Sequence, residues 1–425
     1  MSTSMDRATE PSGTERPQRT DGTVGEVVLE ARDVTKHFEV RSRKGTQIVR
    51  AVEGIDLTLH RGEIVAMVGE SGSGKTTVAR LLSLYYPASS GEIRLHGKPI
   101  QHVSGRKARS YYAEVQLLFQ DPFASLNSLK PIRHILGRAL RIHGRATTKK
   151  QVEEQVLELL RRVNLTPAEQ YIDKYPHELS GGQRQRIVIA RALAVKPAVM
   201  LGDEPISMLD VSIRLDVLNL LRRLRDEEGL ALLYITHDIA SARYIADRIN
   251  VMYAGEMIEG GASEQVIHSP QHPYTRLLLD SSPDPARGLE GDQQSLFEEV
   301  GDLGEPPSLI TPPRGCRFNP RCPFAMDICN EQSPPKTEVT PGHWARCWLH
   351  QEGRADELRA ERIQFGVPLS SRAEQSGLDT IRDFEAVHEE IEPLPGAEAP
   401  SAAAGEPAAD APSHRPAQSG KDQDS

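Results

Sequence analysis

Long apolar runs are absent from this 425-residue chain, and no stretch reaches the roughly 18–20 residues that a helix needs to cross a bilayer. A basic surplus is absent as well. The formal net charge is −9, whereas nucleic-acid binders ordinarily carry a basic surplus or stripe, so no nucleic-acid partner is expected. Cysteine is scarce: there are four, and all fall between Cys316 and Cys347. The first 25 residues are polar and lack the apolar segment of a secretory signal. The chain is therefore expected to be soluble and cytosolic, with any membrane role reached through partners. In that compartment a cysteine cluster suggests a metal site more than disulfides. No internal repeat is visible, so one copy of each motif must suffice.

What is present begins with Gly69-Glu70-Ser71-Gly72-Ser73-Gly74-Lys75-Thr76. An apolar run, residues 64–68, precedes it as a buried parallel strand, and Thr77 opens a helical stretch to Leu82. Strand, glycine-rich loop and helix in that order make a phosphate-binding P-loop. Its backbone N–H groups can curl around phosphate oxygens at the positive end of a helix dipole. Lys75 would reach the β- and γ-phosphates of a nucleotide, and the Thr76 hydroxyl would ligate Mg²⁺.

Around this loop the chain reads as an α/β protein. Strands are expected from Val27, over residues 49–59 and 91–95, and at 115–119, with a basic loop from Arg41 to Gly45. Residues 132–165 carry a helical apolar stripe including Val152, Val156 and Leu160. A further helix is expected over 184–194. Continuous apolar strands follow at 198–201 and 231–236, with a helix at 212–226 between them and another strand at 249–252. Beyond Gly260 this rhythm is expected to stop. Four units result: residues 1–25 disordered, 26–262 the nucleotide domain, 263–350 an extension with the four cysteines, and 351–425 a short charged helix (355–364) followed by a disordered tail.

Two further stretches carry chemistry. The strand ending in Asp203-Glu204 places two carboxylates at a sheet edge, where Asp203 can hold Mg²⁺ and Glu204 can orient or deprotonate a water. Leu179-Ser180-Gly181-Gly182-Gln183 opens a helix with two glycines and a serine, a second anion-binding terminus or, more blandly, a helix cap. Together with the P-loop, this five-residue string resembles the signature of the ATP-binding-cassette (ABC) ATPases over about residues 27–260.

That resemblance implies an ABC nucleotide-binding domain with a RecA-like core, an antiparallel β subdomain and an α-helical signature subdomain. It implies an ATPase using ATP and Mg²⁺. Phe38 matches the aromatic that stacks on adenine, and Gln120 the glutamine that senses Mg²⁺ and faces transmembrane subunits. His237 matches the histidine that contacts the γ-phosphate. Ser207-Met208-Leu209-Asp210 matches the D-loop, with Met208 where the family usually has Ala. Family geometry also implies head-to-tail pairing, in which each ATP lies between one P-loop and the signature turn of a second cassette, identical or homologous.

Past the cassette, Gln271-His272-Pro273-Tyr274-Thr275 and Gly315-Cys316-Arg317-Phe318-Asn319-Pro320-Arg321-Cys322-Pro323 resemble the extension of the oligopeptide/dipeptide group of import ATPases. The stretch Gln120-Asp121-Pro122-Phe123-Ala124-Ser125-Leu126-Asn127 agrees, although Ser128 stands where the group usually has Pro. This resemblance covers about residues 27–350. It implies an energy-coupling subunit, peripheral on the cytoplasmic face of the membrane, with two transmembrane permease subunits and an extracytoplasmic solute-binding protein. Peptides are the expected solute, with nickel or oligosaccharides such as β-glucosides as alternatives. A soluble ABC ATPase acting on DNA or ribosomes is the rival of another class. Such proteins usually carry long coiled-coil insertions or two cassettes in one chain, and neither is seen here.

Cys316, Cys322, Cys329 and Cys347 are separated by 5, 6 and 17 residues, without the short CxxC of zinc ribbons. Four thiolates suit Zn²⁺ or a [4Fe–4S] cluster, and buried thiols without metal are the third reading. Members of the resembling group carry [4Fe–4S].

Overall fold

The computed structural model describes residues 25–42, 45–100, 104–281 and 304–351. The terminal segments expected to be disordered, and the charged helix expected at 355–364, lie outside these residues. In chain order the strands among the described residues are β1 (Val27–Ser42), β2 (Gly45–His60), β3 (Ile64–Val68), β4 (Ser90–Leu95), β5 (Lys98–Pro99), β6 (Val115–Leu118), β7 (Val199–Asp203), β8 (Ala231–Thr236), β9 (Arg248–Tyr253), β10 (Glu256–Ala262), β11 (Thr337–Thr340) and β12 (His343–Ala345). The helices are α1 (Lys75–Leu82), α2 (Gly105–Glu114), α3 (Pro122–Ser125), α4 (Ile132–Ile142), α5 (Lys149–Arg162), α6 (Gly181–Leu193), α7 (Val211–Glu228), α8 (Ile239–Ile245), α9 (Ser263–His268), α10 (Pro273–Asp280) and α11 (Asp327–Glu331).

Every residue of β3, β7 and β8 is buried, as continuous apolar runs in a sheet covered on both faces require. These strands lie in one sheet of order β11-β12-β10-β9-β3-β8-β7-β6. The strands from β9 to β6 run parallel, and β10 returns antiparallel to β9. Parallel strands align their C-terminal ends on one edge, and that edge gathers the ends of β3, β6, β7 and β8. A second sheet, β2-β1-β4-β5, is antiparallel.

Four expectations are corrected. The basic loop expected from Arg41 to Gly45 is mostly strand: β1 runs to Ser42 and β2 starts at Gly45, with pairing Arg41↔Thr46. Bulges between Ala31 and Lys36 shift the register, which disguises a 16-residue strand as shorter alternating pieces. The helical stretch 132–165 is two helices. Gly144 turns left-handed (φ +66) after α4, and a Thr148/Gln151 capping box starts α5. The helix expected from Arg184 starts at Gly181, because Ser180 caps it. α4, α5 and α6 pack together through Leu136, Val152, Val156, Leu160 and Ile187.

The fourth correction concerns the end of the β rhythm. β12 pairs with β10 (Glu259↔Ala345, Gly260↔Trp344), so the cysteine-bearing extension adds two strands to the main sheet. Glu259, fully buried, is the anchor. Its carboxylate accepts the N–H groups of Gln271 and His272, each at 2.8 Å, and lies 2.8 Å from His343 Nε2. A buried carboxylate with three partners is stable where a lone one would not be. Removing any partner strands charge in the core.

Candidate functional site

Between β3 and α1 the chain curls through Gly69–Gly74. Gly74 is left-handed (φ +100), and a Cβ there would lie 2.3 Å from the Ala51 carbonyl oxygen on β2. At Gly69 a Cβ would lie 2.1 Å from the Met252 carbonyl oxygen on β9. Glycine at these two positions is thus a packing requirement as well as a conformational one. Glu70 and Ser71 lie towards solvent, Gly72 is left-handed, and Ser73 anchors the loop through its carbonyl to the Gly255 N–H at 2.9 Å. The Lys75 ammonium is buried and donates to the carbonyls of Gly69 (2.8 Å) and Glu70 (2.7 Å). Thr77 Oγ1 is buried without a hydrogen-bond partner, an unsatisfied hydroxyl at the very helix terminus a phosphate would approach.

Burial lowers the Lys75 ammonium to about 8, opposed by the nearby Glu204, Asp203 and Glu70 carboxylates. Phosphate oxygens would pull it up again, so binding above that pH requires proton uptake. ATP affinity is accordingly expected to hold below about pH 8 and to fall as pH rises through it, by up to about tenfold per unit. Fluorescent-ATP titrations from neutral to alkaline pH check this, and a flat profile would remove Lys75 from the phosphate contacts.

Across the sheet edge, β7 delivers Asp203 and Glu204. Thr76 Oγ1 donates to Asp203 Oδ1 at 3.0 Å. Burial raises the Asp203 carboxyl above its ordinary value, opposed by the Thr76 hydroxyl and by Arg80. Glu204 is left-handed (φ +46), a conformation that costs a bulky residue about 1–3 kcal/mol and needs support. Its N–H donates to the Ile235 carbonyl at 3.0 Å, and Ser207 Oγ donates to its carbonyl at 3.1 Å. The turned carboxylate accepts from Gln120 Nε2 at 3.1 Å and lies 3.0 Å from His237 Nδ1. Lys75, Thr76, Gln120, Asp203, Glu204 and His237 thus converge from four strand ends.

The Leu179–Gln183 turn stands apart from that cluster. Leu179 is buried, while Ser180 is exposed and caps α6 through the Gln183 N–H (3.3 Å), with Gln183 Oε1 accepting from Ser180 N–H (3.1 Å). Gly182 packs on α7, where a Cβ would meet Ile213 Cγ2 at 2.3 Å, while Gly181 has room. Among the described residues, the hydrogen bonds of Ser180 and Gln183 stay inside the turn and its helix. Asp210 is exposed at the start of α7, and Met208 is exposed ahead of it.

Phe38 presents no open face for an adenine. Alternation along β1 turns it inward opposite Val49, where it is 6% exposed and edge-on to Tyr86, with Lys36 Nζ 4.9 Å above its ring. Three residues near the site escaped the sequence reading. The Tyr274 hydroxyl accepts the Glu70 N–H at 2.8 Å, Arg321 forks the Glu70 carboxylate, and Glu259 anchors the extension. Arg317 and Arg321, four apart within the cysteine segment, were the available signal.

A phosphate-binding loop, a strand-end carboxylate pair and a signature turn on one chain define an ABC ATPase. Residues 52–207 match the ABC transporter family model, and residues 258–329 match that of the oligopeptide/dipeptide transporter C-terminal region. The oligopeptide transport ATP-binding protein AppF of Bacillus subtilis is 42% identical over 330 residues, covering 76% of this chain and 98% of that protein. The corresponding OppF of Escherichia coli is 41% identical, covering 72% and 92%. Among solved structures, cbiO1 of Clostridium perfringens, part of the cbiONQ ABC transporter complex, aligns with TM-score 0.51 and 27% identity over 57% of this chain and 92% of that one. A dimeric ATP-binding cassette in a post-hydrolysis state with ADP and Pi aligns with TM-score 0.50 and 28% identity, over 55% and 98%. The chain belongs to the ABC transporter family as an ATP-hydrolysing cassette, and within it to the group that carries the oligopeptide/dipeptide-type C-terminal region.

Proposed function

We propose that this chain is the energy-coupling ATPase of a binding-protein-dependent importer of di- or oligopeptides. Its partners in this reading are a second cassette, two transmembrane permease subunits and an extracytoplasmic solute-binding protein, with the chain peripheral on the cytoplasmic face. Among the described residues no helix is long and apolar enough to cross a membrane, which is compatible with a peripheral subunit. The carrying observation is the Glu204 carboxylate, held between Gln120 and His237 beside Lys75. In this mechanism the P-loop N–H groups and Lys75 bind the phosphates, with Thr77 adding its hydroxyl. Thr76, Asp203 and Gln120 offer oxygens of the kind Mg²⁺ prefers, and the Thr76–Asp203 contact already brings two of them together. The metal would neutralise charge on the β- and γ-phosphates. Glu204 takes a proton from the attacking water, and His237 holds Glu204 and the γ-phosphate in register.

The peptide reading rests on the extension and on the printed roles of AppF and OppF. Deleting the chain and measuring uptake of peptides, nickel and oligosaccharides in parallel tests it. Loss of peptide uptake is expected. Loss of sugar uptake alone would move the assignment to an oligosaccharide importer.

For the cysteines we propose a [4Fe–4S] cluster. All four line one pocket with Phe318, Phe324, Met326 and Trp348. Burial pushes the Cys316 and Cys347 thiols up to about 12, and Cys322 upward as well, so a metal would have to displace thiol protons. Among the described residues no three His, Cys, Asp or Glu side chains are grouped to hold a single metal ion, an arrangement that favours a wider polynuclear centre over Zn²⁺. When bound, a cluster would tie the pocket's segments together. Anaerobic purification should yield brown protein with about four iron and four sulfide per chain. Colourless, iron-free protein from iron-replete cells would refute the cluster.

A further inference from the structure

Glu70 is the first variable residue of the P-loop, and all three of its polar groups are engaged. Its carbonyl accepts from Lys75 Nζ at 2.7 Å. Its N–H donates to the Tyr274 hydroxyl at 2.8 Å. Its carboxylate is forked by Arg321, with Nη1 at 2.9 and 3.1 Å and Nη2 at 3.1 Å. Two of the three partners therefore belong to the C-terminal extension, more than 200 positions away in sequence.

The extension presents those partners rigidly. Tyr274 is fully buried and meets Tyr253 (ring centroids 4.5 Å) and Phe318 (5.6 Å). The Arg321 side chain is 10% exposed, lies over the rings of Tyr253 and Phe318, and also reaches the Tyr253 hydroxyl. Arg317, one turn earlier, ties the same segment to Glu53 on β2 and to Glu256 on β10, the latter at 3.0 Å. A bidentate guanidinium–carboxylate pair fixes angle as well as distance, which a lysine would not.

We propose that Arg321 is a positioning residue for nucleotide binding: through Glu70 it holds the P-loop backbone in its phosphate-receptive curl. The reason lies in what Lys75 must do. To reach phosphate it gives up the Glu70 carbonyl, and the first residue of the loop then keeps only its bonds to Tyr274 and Arg321. Without Arg321 the loop spends part of its time uncurled, and apparent affinity falls by the fraction lost. Turnover of ATP once bound depends on Glu204 and Gln120, which Arg321 does not touch.

This inference rests on the P-loop being the ATP site. The test is a double-mutant cycle on the full chain, read by fluorescent-ATP binding and by the split of KM against kcat. Arg321→Ala is expected to raise Kd and KM by about tenfold, a usual coupling for residues in one ion-pair network, with kcat nearly kept. Glu70→Gln, which leaves the extension's own sequence intact, should raise Kd by a similar factor, and the double variant should add little more. Arg321→Lys should recover only part of the loss, because it restores charge without the fork. Wild-type Kd in both single variants, fully additive losses, or a fall in kcat at unchanged KM would each overturn the proposal. If Arg321→Ala fails to fold, Glu70→Gln with Arg321→Lys still carries the cycle. Wild-type protein that bound no ATP would instead refute the site itself.

Discussion

Glu204→Gln is expected to bind ATP with undiminished affinity and to lose hydrolysis by about 10²- to 10⁴-fold, the usual contribution of a positioned general base. The substitution keeps size and shape, so the left-handed turn at Glu204 (φ +46) and its backbone bonds to Ile235 and Ser207 persist. What it removes is the negative oxygen that accepts a proton. It also removes one of the carboxylates facing Lys75, which if anything favours a polyanionic ligand. Bound ATP with no turnover should then accumulate in the closed pair of cassettes. Single-turnover hydrolysis after rapid mixing reads the chemical step directly. Near-normal rates would move the base to another residue.

Lys75→Ala is expected to act at the other end, on binding. Charge-assisted hydrogen bonds are worth about 1.5–3 kcal/mol each, so losing the contact to the phosphates should weaken ATP by roughly 10- to 100-fold. The loss is sharpened by what remains: Asp203, Glu204 and Glu70 would face the triphosphate without their buried cation. The fold should survive, because the carbonyls of Gly69 and Glu70 that lose the ammonium lie at the solvent edge of the loop and can turn to water. Equilibrium binding separates this variant from Glu204→Gln, whose affinity holds. Unchanged affinity in Lys75→Ala would count against the P-loop assignment.

The legible parts of the chain were those whose signal is local. β3, β7 and β8 are buried on both faces and show as unbroken apolar runs; the P-loop and signature turn are short strings whose glycines and caps do their work within a few residues. The convergence of Gln120, Glu204 and His237 was legible only through family resemblance, since three loops meet there across 33 and 84 positions. The extension was misread because its signals are long-range. β12 is three residues long, and its register is fixed by pairing with Glu259 and Gly260, far upstream. Glu259 itself looked like a solvent charge in a short strand, whereas its partners are the backbone N–H groups of Gln271 and His272 and the ring of His343. Phe38 shows the opposite failure. A motif position suggested an exposed platform, and strand alternation turned the ring inward.

The account's central claim is that this chain holds half of each ATP site, the other half being the signature turn of a second cassette. The solved cassette with ADP and Pi is a dimer, and the Ser180–Gln183 turn here makes its hydrogen bonds locally, leaving Ser180 exposed. Ser180→Arg tests the claim most directly. Losing the cap costs α6 only about 1 kcal/mol, and the variant leaves the P-loop untouched. The isolated variant should bind ATP as wild type does, while the assembled transporter carrying it loses hydrolysis at the site that turn closes. An isolated, monomeric Ser180→Arg chain that hydrolysed ATP as fast as the assembled wild-type transporter would contradict the account.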